Sequence, residues 1–193
     1  MRVTPSLLLI LSMSISGVAQ DAPDSTTVFE SVEWSSTRRL TFEDFRKVPE
    51  NPLTVETVIL HLGVNSTLDS LKLPQLKTFN GQVTTVFYPT FSWIDKSNRT
   101  GLQYSNTVFD IYEWISREFR KRLNENRARV LDGKVKEISE ELNREFTRIL
   151  EAYDAETNSA SNLLEQMKWE SLISQKLQAL AAYCKSCGES KLK

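Results

Sequence analysis

LQYSNTVFDIYEWISREFRKRL, residues Leu102–Leu123, decides the fold of this 193-residue chain. Val108, Ile111, Ile115, Phe119 and Leu123 recur every three or four residues, which lines them along one face of an α-helix. Downstream the same period returns in Val135, Ile138, Leu142, Phe146, Ile149 and Tyr153, and Asp132-Gly133 between the two stretches is a capping and breaking pair. A third helix is expected over Ser161–Tyr183, approached through residues 153–158. Its apolar stripe is read as Leu164, Met167, Leu172 or Ile173, Leu177 and Leu180.

Upstream of Gly101 the pattern changes from helical to β-rich. Residues 28–34 alternate loosely, residues 54–64 are rich in β-branched side chains, and residues 83–93 are β-branched and aromatic. Thr41–Phe45 reads as one helical turn, with Thr41 as N-cap and Asp44 closing an acidic capping box. Asn80-Gly81 is a turn signal before Val83. Strands first and helices after them define an α+β domain, a small N-terminal sheet followed by three long helices.

The ends of the chain carry a different message. Arg2, the apolar run Leu7–Ile15 and the small residues Gly17 and Ala19 form the pattern of a secretory signal peptide over residues 1–19, cleaved after Ala19. The run is shorter than the roughly 20 apolar residues that cross a bilayer. Residues 20–27 read as a flexible linker, 28–187 as one domain and 188–193 as a flexible tail. Lys+Arg 24 against Asp+Glu 25 gives no electrostatic reason to expect nucleic acid. The expectation is an exported protein, periplasmic or extracellular, with no transmembrane segment after signal cleavage.

Five blocks in order along the chain carry a resemblance. They are Arg39-Leu-Thr-Phe-Glu-Asp-Phe-Arg46 with Pro49 and the preceding Trp34; Phe87–Trp93, ending in Ser92-Trp93; Leu102–Leu123, through Phe109-Asp110-Ile111, Glu113 and Arg117; Tyr153-Asp154 with Glu156-Thr157; and Gln166, Trp169, Ile173 and Leu177. Together they resemble a bacterial family of zinc peptidases of otherwise unknown function, and the resemblance implies a zincin-like fold. In that family a H-E-x-x-H motif precedes Phe-Asp-Ile. Its two histidines, one helical turn apart, hold zinc, and its glutamate polarises the attacking water.

Counted back from Phe109, those positions fall on Tyr104, Ser105 and Val108, and the family's third ligand falls on Ser159. A catalytic zinc needs three ligands of His, Cys or carboxylate type plus a water, and a serine is no general base at neutral pH. The resemblance therefore implies a fold kept without its chemistry: a pseudo-peptidase with no metal and no cofactor. Its residual cleft would be lined by Tyr104, Ser105 and Ser159, with Asp110 as a further binding candidate and Val108 filling space.

Other residues invite chemistry and receive plainer readings. His61 is the only histidine, and no nucleophile-elbow motif accompanies it. Cys184 and Cys187 form a C-x-x-C read as a disulfide, since an exported protein meets oxidising surroundings. The pair closes a helix instead of opening one, so the helix dipole disfavours a reactive thiolate. Arg117, Arg120, Lys121, Arg122, Arg127 and Arg129 interleave with Glu113, Glu118 and Glu125, which reads as a solvated face with i,i+4 pairs. Asn65 and Asn98 open glycosylation sequons, expected to be unmodified in a bacterial protein.

The functional expectation is an exported binding or scaffolding component of the cell envelope, with a protein or peptide partner. A secreted hydrolase using a metal-free site, built on Asp110 with Glu113 or on His61, is the rival. A metal site of unusual ligands is a third alternative.

Overall fold

The computed structural model describes residues 29–49, 57–68, 72–185 and 187. The signal peptide, the linker and the tail expected at 1–19, 20–27 and 188–193 lie outside the described residues.

The strands precede the helices, as the α+β reading requires. β1 (Val32–Glu33), β4 (Val83–Phe87) and β3 (Leu62–Ser66) form an antiparallel sheet in the order β1-β4-β3. β2 (Val58–Ile59) pairs with β5 (Trp93–Ile94) as a separate two-stranded ribbon. Of the stretch expected at 28–34, the described residues 29–34 yield a strand of two residues. The capping box at Thr41 is formed: Asp44 Oδ2 accepts the Thr41 backbone N–H at 2.8 Å, closing a 3-10 turn over Phe42–Asp44.

α1 (Arg99–Glu125) is the central element. One side packs on β4 and β3, and the others meet α3 (Val135–Thr157) and α4 (Leu163–Ala179). A short α2 (Arg127–Leu131) follows α1 after Asn126, so the expected first helix is broken one step before its predicted stop. Gly133 at φ 78 supplies the left-handed turn into α3. The predicted stripe of α1 is buried: Val108, Ile111, Ile115, Phe119 and Leu123 are each at most 1 % exposed. Ile138, Leu142 and Phe146 from α3 meet the same core.

The third long helix departs from expectation. It starts at Leu163, capped by the Asn162 side chain, and ends at Ala179 before a 3-10 turn over Ala181–Tyr183. Leu164 and Met167, predicted inside, are 64 % and 66 % exposed. Ile173 and Leu180 are buried as expected, and Gln166 and Trp169 take the places of Leu164 and Met167 on the buried face. The reason is polar: the Gln166 amide donates to Thr107 Oγ1 on α1 at 2.8 Å and accepts the Tyr153 hydroxyl from α3 at 2.9 Å. A stripe read from hydrophobicity alone gives a buried glutamine no weight.

Among the described residues no helix is long and apolar enough to cross a membrane.

Candidate functional site

Gly101 brings the start of α1 against β2. A Cβ built there would lie 2.6 Å from Val58 Cγ2, so only glycine permits this approach. Asn98 caps the helix by accepting the Gly101 N–H at 2.8 Å. One turn on, the Tyr104 ring stacks on Tyr153 of α3 with centroids 5.6 Å apart.

At its far end α3 closes in three successive non-glycine residues at positive φ, Asn158 (47°), Ser159 (53°) and Ala160 (64°). Left-handed backbone costs roughly 1–2 kcal/mol per residue, so the turn needs holding. The Thr157 hydroxyl accepts the Ala160 N–H at 3.2 Å and donates to the Tyr153 carbonyl at 2.7 Å. Asn162 N–H reaches the Thr157 carbonyl at 2.8 Å.

Between these features lies a cavity of about 440 Å³ lined by Thr57, Asn98, Tyr104, Asp154, Asn158 and Ser159 among others. Tyr104 and Ser159, far apart in sequence, share it. Asp154 joins them: its Oδ1 accepts the Ser159 hydroxyl at 3.0 Å, and its charge acts on the Tyr104 phenol. Burial, then the Asp154 charge, pushes the Tyr104 hydroxyl well above the usual phenol range, so it stays a neutral donor. Among the described residues that line the cavity none is cationic, and Asp154 is the one that carries a formal charge.

The other expected residues lie elsewhere. Ser105 is fully buried and donates its hydroxyl back to the Gly101 carbonyl at 2.8 Å, so it does not line the cavity. Val108 is packed in the core. Asp110 faces a second groove of about 550 Å³, where it accepts the Trp34 indole N–H at 2.8 Å and pairs with Arg39. His61 is half-buried with its ring beside Phe91, and burial, then Lys47, lowers its pKa.

Glu113 is not a partner for Asp110. It is buried at 2 % exposure and takes Arg117 Nε at 2.9 Å, Arg120 Nη1 at 3.0 Å and the Thr85 hydroxyl at 2.8 Å. Two arginines read as solvated are thus inside the protein. Cys184 and Cys187 form the expected disulfide.

Asp154 was legible as part of a motif but not as a site residue. Nothing in its spacing reveals that the chain turns back on it at Ser159. The donors at hand, a phenol, hydroxyls and one carboxylate, do not fit a catalytic zinc, which takes three ligands from His, Cys or carboxylate. Among the described residues no group of three His, Cys, Asp or Glu side chains could hold a metal.

What the fold and site define is a class, an α+β domain with a polar cavity between its central helix and a strained helix end. Compared with protein-family models, curated proteins and solved structures, the chain matches none.

Proposed function

We propose that the protein is an exported, catalytically inactive relative of zinc peptidases, zincin-like in fold, and serves as a binding or scaffolding component of the cell envelope. One observation carries this reading. Tyr104 and Ser159, which fall on the family's first and third ligand positions, line one cavity although 55 residues separate them by their numbering.

The residues that carry the resemblance also have structural work to do. The Asn106 side chain, three residues before Phe109, clamps the Leu40 backbone through both its N–H (2.9 Å) and carbonyl (3.0 Å). Tyr153 bonds Gln166, and Glu156 accepts the Trp169 indole N–H at 2.8 Å. Selection for folding would keep such residues after loss of the metal ligands. With Asp154 as the one charged side chain among the described residues that line it, the cavity suits a hydrogen-bond donor, such as the ammonium or amide of a peptide partner.

The test restores ligands with few changes. Tyr104→His with Ser159→His would place two imidazoles beside Asp154, a three-ligand set for zinc. A folded double variant that takes up zinc stoichiometrically in titration calorimetry supports the ancestry, and one with no affinity counts against it. Stoichiometric zinc in the natural protein purified without chelator, or peptide hydrolysis by it, would overturn the reading.

A further inference from the structure

Cys187 lines the second groove, and its disulfide with Cys184 touches a buried cation. Arg117 Nη2 lies 3.2 Å from Cys184 Sγ and 3.5 Å from Cys187 Sγ. Its Nε is held by Glu113 and its Nη1 by the Leu177 carbonyl, so the guanidinium is fixed in place. Cys184 Sγ also accepts the Cys187 backbone N–H at 3.1 Å. Two donors therefore converge on one sulfur.

The charges around this sulfur do not balance. Glu113 is a single carboxylate, and both Arg117 and Arg120 bond the same Oε1, with side-chain exposures of 4 % or less for all three. Arg120 is otherwise satisfied by the neutral Val83 and Tyr183 carbonyls. A buried ion pair with a surplus cation is unfavourable unless another anion joins it. A disulfide sulfur is a poor acceptor, whereas a thiolate is a full counter-charge.

The neighbouring anions do not contact the Arg117 guanidinium. Glu33 pairs with Lys185 and Asp110 with Arg39; Glu170, in the same groove, bonds the neutral Gln103 and Gln166 amides and keeps its charge, but stands about two turns before Leu177 on α4. The C-terminal end of α4 opposes a thiolate with about half a unit of charge, against the whole unit that Arg117 places in contact.

We infer that Cys184–Cys187 is a thiol–disulfide exchange site that oxidises a dithiol partner, with Arg117 as the positioning residue that stabilises the Cys184 thiolate. Cys187 is exposed and Cys184 half-buried, so the incoming thiolate attacks Cys187 Sγ. The Sγ–Sγ bond breaks and its electron pair goes to Cys184 Sγ, leaving a mixed disulfide on Cys187. A lower leaving-group pKa speeds this step. The partner's second thiolate then attacks its own sulfur in the mixed disulfide and releases Cys187. Two electrons pass from partner to protein. One of the partner's protons ends on Cys187, the other in solvent, and Cys184 remains ionised beside Arg117. The partner leaves with a new disulfide.

The test uses the full chain, reduced and alkylated with iodoacetamide over a pH series, with each cysteine read separately by mass spectrometry. The expected midpoint for Cys184 lies at least one pH unit below the ordinary thiol value of about 8.5, and it returns toward that value in Arg117→Met but not in Arg117→Lys. Equilibration with glutathione should show the natural pair about tenfold easier to reduce than the Arg117→Met pair. If Arg117→Met fails to fold, Cys187→Ser leaves Cys184 as the single thiol, and its midpoint decides. A Cys184 midpoint at or above about 8.5 in the natural protein or in Cys187→Ser, or failure of the oxidised protein to oxidise a dithiol peptide, overturns the proposal.

Discussion

Ser159 donates its hydroxyl to Asp154 Oδ1 at 3.0 Å, from the middle of a left-handed turn back to the helix that the turn ends. Replacing Ser159 by Gly removes that bond, worth about 0.5–1.5 kcal/mol, but also removes roughly 1 kcal/mol of backbone strain. The Ser159→Gly protein should therefore unfold in urea within about 1 kcal/mol of the natural one. Ser159→Val loses the bond and puts a β-branched side chain at positive φ, and should cost about 2 kcal/mol or more. Equal urea midpoints for the two variants would show that the turn is not held as described.

Alkaline pH should unfold the protein cooperatively. Tyr104, Tyr112 and Tyr153 are each at most 3 % exposed, and burial raises all three phenols above the ordinary value. Below pH about 10 the phenols are neutral in both folded and unfolded chains and contribute no pH dependence. As pH rises above that, only the unfolded chain releases the protons. Stability then falls by up to about 1.4 kcal/mol per pH unit for each of these tyrosines. Phenolate absorbance of these three should appear together with loss of helical circular dichroism. Its appearance in a folded protein would contradict their burial.

Gly101→Ala pits helix propensity against packing. Alanine gains about 1 kcal/mol in an α-helix, but its Cβ would stand 2.6 Å from Val58 Cγ2 and 2.8 Å from Asn98 Nδ2. Val58 is only 5 % exposed and has little room to yield. A net loss of about 1–2 kcal/mol is expected, measured by urea unfolding. Shortening Val58 to Ala in the same chain should recover part of it.

Glu113→Gln should destabilise by about 3–5 kcal/mol, because two buried guanidiniums lose their only shared carboxylate. Thr85→Val removes a single hydroxyl that donates to Glu113 and should cost about 1 kcal/mol. Thermal unfolding of the two variants side by side checks the order. A milder effect from Glu113→Gln than from Thr85→Val would mean that the carboxylate is not the hub of the cluster.

The α+β order and the buried faces of the first two long helices were legible because they depend on period alone. Val108, Ile111, Ile115 and Phe119 repeat where a helix needs them, and the Thr41–Asp44 box acts within a few residues. What escaped depends on long-range polar pairing. Arg117 and Arg120 look like solvated charges until Glu113, the Val83 carbonyl and the Leu177 carbonyl are brought around them. Leu164 and Met167 match a core pattern better than Gln166 does, yet two hydroxyls on other helices draw the amide inward. Of the candidate site, Tyr104 and Ser159 were named from motif positions. The Asp154 link between them and the diversion of Asp110 to Trp34 and Arg39 required the folded chain.

A helix with leucines on two sides has no single oily face to tell it which way to sit. For α4 the decision falls to one amide: rotating the helix to hide Leu164 and Met167 would strand the Tyr153 hydroxyl in a dry interior and break the Gln166 bond to Thr107, whose hydroxyl keeps only the Gln103 carbonyl of its own helix. Such stranding costs about 1–3 kcal/mol for each group left without a partner, comparable to what hiding one of those apolar side chains would gain. The seat of α4 is thus chosen by a lock and key of hydrogen bonds, and its greasy flank faces outward as the by-product of that choice.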